Sequence, residues 1–234
     1  MLQQGQQVYA SPVNAFGTNL GGGIAGMGRA MASGATTGMG MNAAGGQQQF
    51  GAHEVLMVHE VLQDTIDGLN KFELYRSHVK DSQLARILDN QIQFMRTCYQ
   101  NTVNYLHHKG QSSAVPYRIP RTSSPAYGLR NPQPQEPNTS VNQMDDRDVA
   151  SGMLGSAKWS AVLHTQAALE CADPTLRAMM VSGAQSCINK AYELFQFMNQ
   201  RGMYQVPTLA DKTTNTFIHS YQSPQGMGMQ MQMQ

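Results

Sequence analysis

Apolar residues recur at intervals of three and four in two separate blocks, residues 51–110 and 145–202, and this spacing predicts amphipathic helices. The first predicted helix has an apolar face made of Val55, Val58, Leu62, Ile66, Leu69 and Phe72. Asp81 then suits the N-cap of a second helix, which we expect to end at Gly110, where a glycine accepts the left-handed conformation. The first block therefore predicts a helical hairpin.

The second block predicts another hairpin of the same design. Its first helix is expected to run from Asp145 or Asp146 to Ala172. Asp173–Pro174 supplies an N-cap followed by a first-turn proline, and Gly202 is expected to end the last helix.

The two blocks coincide at a shift of 92 residues without gaps, which places Asp81 on Asp173 and Gly110 on Gly202. The apolar positions of the two second helices also coincide: Leu84, Leu88, Ile92, Met95, Tyr99, Val103 and Leu106 match Leu176, Met180, Ala184, Cys187, Ala191, Phe195 and Met198. We interpret this as duplication or pseudo-twofold packing. The alternative is that any two amphipathic helices can be slid into register.

The segments outside the two blocks differ from them in composition. Residues 1–50 contain one charge, Arg29, among Gly, Ala, Met and Gln, and are predicted to form a flexible arm. Residues 111–144 hold six of the ten prolines and are predicted to be an irregular crossover. Residues 206–234 end in alternating Met and Gln and are predicted to be a low-complexity tail.

Two hairpins can bury their apolar stripes against each other, whereas one hairpin alone cannot. The crossover is long enough to run the length of the helices. We therefore predict an all-α, ferritin-like four-helix bundle over residues 51–205, made of hairpin 51–110, crossover 111–144 and hairpin 145–202.

Charge and composition exclude several classes of protein. The 234 residues carry a net charge of +1 with only 13% charged residues, which argues against a nucleic-acid partner. No apolar run approaches the length of about 18 residues that a membrane-spanning helix needs. The beginning of the chain lacks the charged start and the apolar core of a secretory signal, so we expect neither a membrane span nor a signal peptide.

The cysteines Cys98, Cys171 and Cys187 are odd in number and lack metal-type spacing. This usage is typical of a reducing compartment. Two interpretations stay open: three partly buried small side chains, or one cysteine that later cross-links to another chain.

A ferritin-like bundle raises the question of a di-metal site, which needs inward-facing Glu-x-x-His pairs. No glutamate here has a histidine three residues further on, and Glu193 is predicted to project away from the apolar stripe. The cluster His53, Glu54, His59 and Glu60 is predicted to be a solvated first turn whose members do not converge. His164 is expected to be a hydrogen-bonded core histidine, and Glu73 to pair with Arg76 or Arg86. We therefore expect an apolar interior without catalytic, cofactor-binding or metal-binding residues.

The run from Phe50 to Asp64 (FGAHEVLMVHEVLQD), the segment Phe72–Arg76 and the strings ALECADP at 168–174 and MNQRGMYQVP at 198–207 resemble the Coat F family of spore coat proteins from endospore-forming bacteria. The resemblance covers both helical blocks. It implies a ferritin-like domain that serves as a structural component of the spore coat, without family catalytic residues.

The function that the resemblance implies is a non-enzymatic coat building block, made in the mother-cell cytoplasm and assembled through its outer faces and terminal arms. Its expected partners are other spore coat proteins, and a homo-oligomer is a further option. Two alternatives stay open: a metal-dependent redox or catalase-like enzyme on the same bundle, and an adaptor that recruits another coat protein through the first helix.

Overall fold

Four long helices dominate the computed structural model, which describes residues 50–108, 116–119 and 123–222. They are α1 (Ala52–Arg76), α2 (Ser82–His108), α3 (Asp146–Glu170) and α4 (Pro174–Gln200), and a short helix, α5 (Asp211–Ile218), follows them. A single 3-10 turn, Val141–Gln143, precedes α3. The predicted arm up to residue 49, the predicted stop at Gly110 and the Met/Gln repeats of residues 223–234 lie outside the described residues.

Each long helix packs against two others, so that α1 contacts α2 and α3 while α4 contacts the same two helices. Neighbouring helices are antiparallel, because the start of α3 lies beside the end of α1 and its end lies beside the start of α1. Helices α2 and α3 are therefore parallel and diagonal to each other. The connection between them has to run the length of the bundle, which is the ferritin-like arrangement with two short hairpins and one long crossover.

The apolar core has two clusters, one toward each end of the bundle. One cluster is built around Phe72, Leu88 and Leu194. The other is built around Val58, Ala167 and Met180. The middle of the bundle lies between them and is more polar.

The two inter-helix turns are held in matching ways. Asp146 accepts hydrogen bonds from the backbone N–H groups of Lys80 (2.7 Å) and Asp81 (3.1 Å) in the α1–α2 turn. Glu54 accepts bonds from Ala172 and Asp173, both at 2.8 Å, in the α3–α4 turn. The acceptors Glu54 and Asp146 are 92 residues apart, and so are the donors Lys80 and Ala172 and the donors Asp81 and Asp173. This is the offset that the sequence indicated.

Helices α2 and α4 also have equal lengths of 27 residues and begin and end at the same offset. These matches confirm the pseudo-twofold packing of the two hairpins.

The predicted helix caps are confirmed where they are described. Asp81 accepts from the N–H groups of Gln83 and Leu84, and Asp173 accepts from that of Leu176. Gly202 has φ +71°, and the Met203 N–H donates to the Met198 carbonyl at 2.8 Å, which is the Schellman arrangement. Helix α3 ends two residues before the predicted Ala172.

One sequence expectation about packing was wrong. The buried stripe of α1 is Val58, Val61, Gly68 and Phe72 together with Glu54, whereas the predicted member Val55 is exposed. The stripe is therefore rotated by about one residue from the predicted one. The predicted tail also contains α5, whose residues are not buried.

Candidate functional site

A polar layer crosses the middle of the bundle, where the sequence predicted an apolar interior. All four helices contribute to it: Asp64 from α1, Cys98 from α2, Ser160 and His164 from α3, and Cys187 and Lys190 from α4. Lys190 is buried, with 5% exposure. The expectation of a purely apolar interior is therefore wrong, because α4 places the side chain of Lys190 inside the bundle. A lysine in such a position needs polar groups around it.

Short contacts organise this layer. The Ser160 hydroxyl donates to Asp64 Oδ2 at 2.5 Å, and His164 Nδ1 lies 2.8 Å from the Ser160 carbonyl. Burial, with a smaller contribution from Lys190, lowers the pKa of His164. His164 therefore stays neutral at pH 7, in agreement with the predicted core histidine.

The ring of His164 sits against Gly183 of α4 so closely that a Cβ at that position would lie 2.1 Å from His164 Cδ2. A glycine is therefore required for the close approach of α3 and α4 at this level.

A second polar group anchors the crossover to α4. The Tyr117 hydroxyl donates to Glu193 Oε2 at 2.5 Å, and Gln91 Nε2 donates to the same oxygen at 3.1 Å. Glu193, which is predicted to project away from the apolar stripe, is buried because the crossover covers it. Gln91 Oε1 has no hydrogen-bond partner.

Three more polar side chains of α4 bind the crossover backbone, and together with Glu193 they recur every three or four residues. Asn189 Nδ2 donates to the Tyr117 carbonyl (2.7 Å), Gln196 Nε2 to the Ser123 carbonyl (3.0 Å) and Asn199 Nδ2 to the Ala126 carbonyl (3.0 Å). The same side chain of Asn199 accepts from the Ala126 N–H at 2.8 Å. An irregular segment cannot satisfy its own backbone groups, and this polar stripe of α4 satisfies them instead. The sequence analysis did not identify this polar stripe of α4, although its residues recur at the helical spacing of three and four.

A cavity of about 560 Å³ lies between α2 and α4 beneath Pro116–Arg118. Phe94, Met179 and Met180 give it an apolar wall, while Cys98, His164 and Ser186 add polar atoms. Its volume falls in the range of small-molecule sites. The arrangement offers no nucleophile beside a base, because burial raises the pKa of the Cys98 thiol to about 11.

The other cysteines are similarly unreactive. Cys171 and Cys187 are buried free thiols, and burial raises the pKa of Cys171 to about 11 and also raises that of Cys187. Only a small fraction of each thiol is therefore ionised to the thiolate at pH 7. In the structure Cys171 and Cys187 are buried and Cys98 is partly buried, and cross-linking of one cysteine to another chain stays a prediction.

The predicted cluster at the start of α1 does not form a site. His53, His59 and Glu60 are exposed. Glu54 is buried, and its carboxylate accepts hydrogen bonds from backbone N–H groups. The prediction of a solvated first turn is therefore wrong for Glu54. His53 Nδ1 lies 3.4 Å from the Glu170 carboxylate.

The predicted ion pair of Glu73 is confirmed for one of its two candidate partners. Glu73 forms an ion pair with Arg76, one of the two predicted partners, and a second ion pair with Arg96 at 2.7 Å, which was not predicted. Across the described part of the chain, no three His, Cys, Asp or Glu side chains come together in a way that could hold a metal ion.

An exposed apolar face lies on α3 and α4. Trp159 and Val162 of α3 are 62% and 60% exposed, and Val181 and Ile188 of α4 are 49% and 51% exposed. We call this surface the α3–α4 face and define it by the exposed residues Gly155, Trp159, Val162, Gln166, Leu169, Pro174, Ala178, Val181, Gln185, Ile188 and Tyr192. None of these side chains is charged, and the exposed charged residues Lys158 and Arg177 stand beside them on the same two helices. Exposed apolar patches of this kind mark interaction surfaces.

The fold and the α3–α4 face together define an all-helical, ferritin-like bundle that presents an apolar outer surface. The Coat F domain model matches residues 145–207. The spore coat protein F-like protein YhcQ of Bacillus subtilis (strain 168) is 32% identical over 178 residues, which is 75% of this chain and 82% of that protein. This chain therefore belongs to the Coat F family of spore coat proteins.

A solved structure supports the fold. It is that of a Bacillus halodurans C-125 protein provisionally assigned to the spore coat, with 14% identity and a TM-score of 0.52, and it covers 70% of this chain and 97% of its own. At this identity the likeness concerns the fold alone. None of the helices within the described ranges is long and apolar enough to cross a membrane.

Proposed function

We propose that the chain is a non-catalytic building block of the spore coat that assembles with other coat proteins through the α3–α4 face and its low-charge terminal segments. The observation that carries this proposal is the uncharged, apolar α3–α4 face. Single exposed apolar residues are normal on a protein surface, but several exposed apolar residues on two neighbouring helices favour contact with another protein. Synthesis in the mother-cell cytoplasm is part of the same proposal.

The interior favours a structural role over an enzymatic one. The polar layer has a buried lysine among raised-pKa thiols and a neutral histidine, which stabilises a specific packing but supplies no activated nucleophile. The polar residues around Tyr117 are engaged in binding the crossover. The alternative of a metal-dependent redox or catalase-like enzyme has no ligand cluster to support it among the described residues.

A fluorescent fusion in sporulating Bacillus subtilis tests the proposal. The full chain should form a ring at the developing spore surface. Trp159→Lys with Val162→Lys should leave most of the signal diffuse, because two charges would have to be desolvated in any contact through this face. The matched control Asn70→Lys with Leu74→Lys, on exposed α1 positions, should localise normally.

Removal of residues 1–48 should also reduce the ring. A fusion that never reaches the spore surface would contradict the coat role. Normal localisation of both the surface variant and the truncated chain would contradict assembly through these parts.

A further inference from the structure

The cavity between α2 and α4 contains a hydrogen-bond acceptor that the described part of the chain leaves unused. His164 Nδ1 lies 2.8 Å from the Ser160 carbonyl oxygen, which can only accept, so Nδ1 carries the proton of the neutral ring. The other ring nitrogen, Nε2, therefore has a lone pair, and no described residue donates a hydrogen bond to it. A Cβ on Gly183 would lie 2.6 Å from Nε2. Because both residues line the cavity, the missing side chain of Gly183 leaves Nε2 uncovered on that side.

The other lining residues favour an apolar, aromatic ligand. Phe94, Met179 and Met180 form the apolar wall, and both aromatic rings and methionine sulfur atoms make favourable contacts with a further ring. The Tyr117 ring stands edge-on to Phe94 with a centroid separation of 5.1 Å. A cavity of about 560 Å³ with an apolar wall and a few polar atoms has the properties of a small-molecule site.

Charge narrows the polar group of such a ligand. The described lining residues include Arg118 but no aspartate or glutamate, so a cationic amine would find no counter-ion there. A carboxylate is ionised at pH 7 and has no proton to donate to Nε2. A hydroxyl group is neutral and donates one hydrogen bond, so it meets both conditions.

We infer that this cavity binds a small, uncharged aromatic alcohol whose hydroxyl group donates a hydrogen bond to His164 Nε2. The ring system of the ligand lies against Phe94 and the two methionines. A site that presents a buried acceptor discriminates against an analogue without the donor, because the acceptor then stays unpaired. This binding site goes beyond the proposed role in the coat and does not depend on it.

Two probes of nearly the same shape, 2-naphthol and 2-fluoronaphthalene, test the inference with the purified full chain at pH 7. Only 2-naphthol has a proton to donate. Fluorescence anisotropy of each probe should show that the wild-type chain binds 2-naphthol about tenfold more tightly, which is the size of effect expected for one hydrogen bond to a buried acceptor.

Three variants locate the site. His164→Phe keeps a ring but removes the acceptor, so it should bind the two probes within about twofold of each other. The matched control His59→Phe replaces an exposed histidine of α1 and should keep the wild-type preference. Cys98→Leu fills part of the cavity and should weaken the binding of both probes about tenfold or more. Thermal melts by circular dichroism should show that the variants are folded.

Nitrogen-15 NMR of the wild-type chain gives a readout that needs no variant. Addition of 2-naphthol should shift the His164 Nε2 resonance, and 2-fluoronaphthalene should shift it much less. Absence of 2-naphthol binding, equal affinity of the wild-type chain for the two probes, an Nε2 resonance that does not respond, or unchanged binding by Cys98→Leu would each overturn the inference. These measurements use purified protein, so their outcome is independent of whether the fusion reaches the spore coat.

Discussion

At the scale of single residues, Glu54 shows how a carboxylate can be buried without a cation. Its carboxylate accepts from the N–H groups of Gly51 (2.6 Å), Ala172 and Asp173, so it completes the start of α1 and holds the α3–α4 turn. Burial by itself would raise the pKa of Glu54, but these backbone hydrogen bonds outweigh it and hold the pKa below the usual value.

We expect Glu54→Gln to lower the free energy of unfolding at pH 7 by about 1–3 kcal/mol, because a neutral amide is a weaker acceptor for three donors. The depressed pKa means that the unfolded chain takes up a proton more readily than the folded one. The stabilisation by Glu54 is therefore fully present above about pH 5 and is lost as the pH falls through the folded-state pKa.

Urea unfolding at several pH values measures this effect. The difference in stability between wild type and Glu54→Gln should shrink as the pH falls below about 5 and through the lowered pKa of Glu54. The exposed Glu60→Gln is the matched control on the same helix and should change stability little at any of these pH values. A difference for Glu54→Gln that does not depend on pH would contradict the role given to the carboxylate.

At the scale of secondary-structure elements, the sequence predicted what local spacing and capping decide. The four long helices and the caps at Asp81, Asp173 and Gly202 follow from periodic apolar positions and residues with known end preferences. The buried face of α1 did not follow, because its rotation depends on Glu54 reaching a turn 118 residues away. Tertiary hydrogen bonds of that kind leave no local signal.

The crossover depends on long-range partners in the same way. Its prolines and polar residues predicted an irregular connection, but its path is set by the polar stripe of α4, which could be assigned only once α4 and the crossover were known to be adjacent. Helix α5 was missed because its short length gives too little periodicity against a polar background.

Tyr117→Phe should detach the crossover from α4 locally. The variant keeps the ring, whose edge-on contact with Phe94 has a centroid separation of 5.1 Å, but removes the donor to the buried Glu193 carboxylate. We expect a loss of about 1–3 kcal/mol in the free energy of unfolding, because the buried carboxyl group of Glu193 loses one of its two side-chain donors among the described residues and keeps Gln91. Urea unfolding measures the loss, and limited proteolysis should cut the crossover faster.

The control for this experiment is Tyr221→Phe, which removes a hydroxyl from a residue with 84% exposure and should change neither stability nor cleavage. Equal behaviour of the two variants would mean that the Tyr117–Glu193 bond does not hold the crossover.

At the scale of the whole molecule, α4 contacts other parts of the chain on several of its sides. One side contacts α3 through Gly183, another binds the crossover, and the outward side carries the exposed apolar residues of the α3–α4 face. The pseudo-twofold relation of the hairpins stops there, because α2, which corresponds to α4, has charged residues such as Arg86 and Arg96. The two hairpins therefore share a packing plan, while one of them presents the exposed apolar surface to which we assign assembly.

Folding and assembly should accordingly be separable by truncation. Deletion of residues 1–48 and 207–234 retains Phe50, which packs against Tyr105, and Val206, whose carbonyl accepts from the Gly128 N–H at 2.8 Å. The removed part includes α5, none of whose residues is buried. We expect a cooperative thermal melt by circular dichroism, with a free energy of unfolding within about 0.5 kcal/mol of the full chain.

The double variant Glu54→Gln with Asp146→Asn, which weakens both turns at their equivalent positions, is the contrasting case. It should lower the melting temperature of the full and the truncated chain by the same amount, because its contacts lie wholly inside residues 49–206. Loss of the cooperative melt on truncation alone would show that the terminal segments contribute to folding and would remove the physical basis for assigning them to assembly.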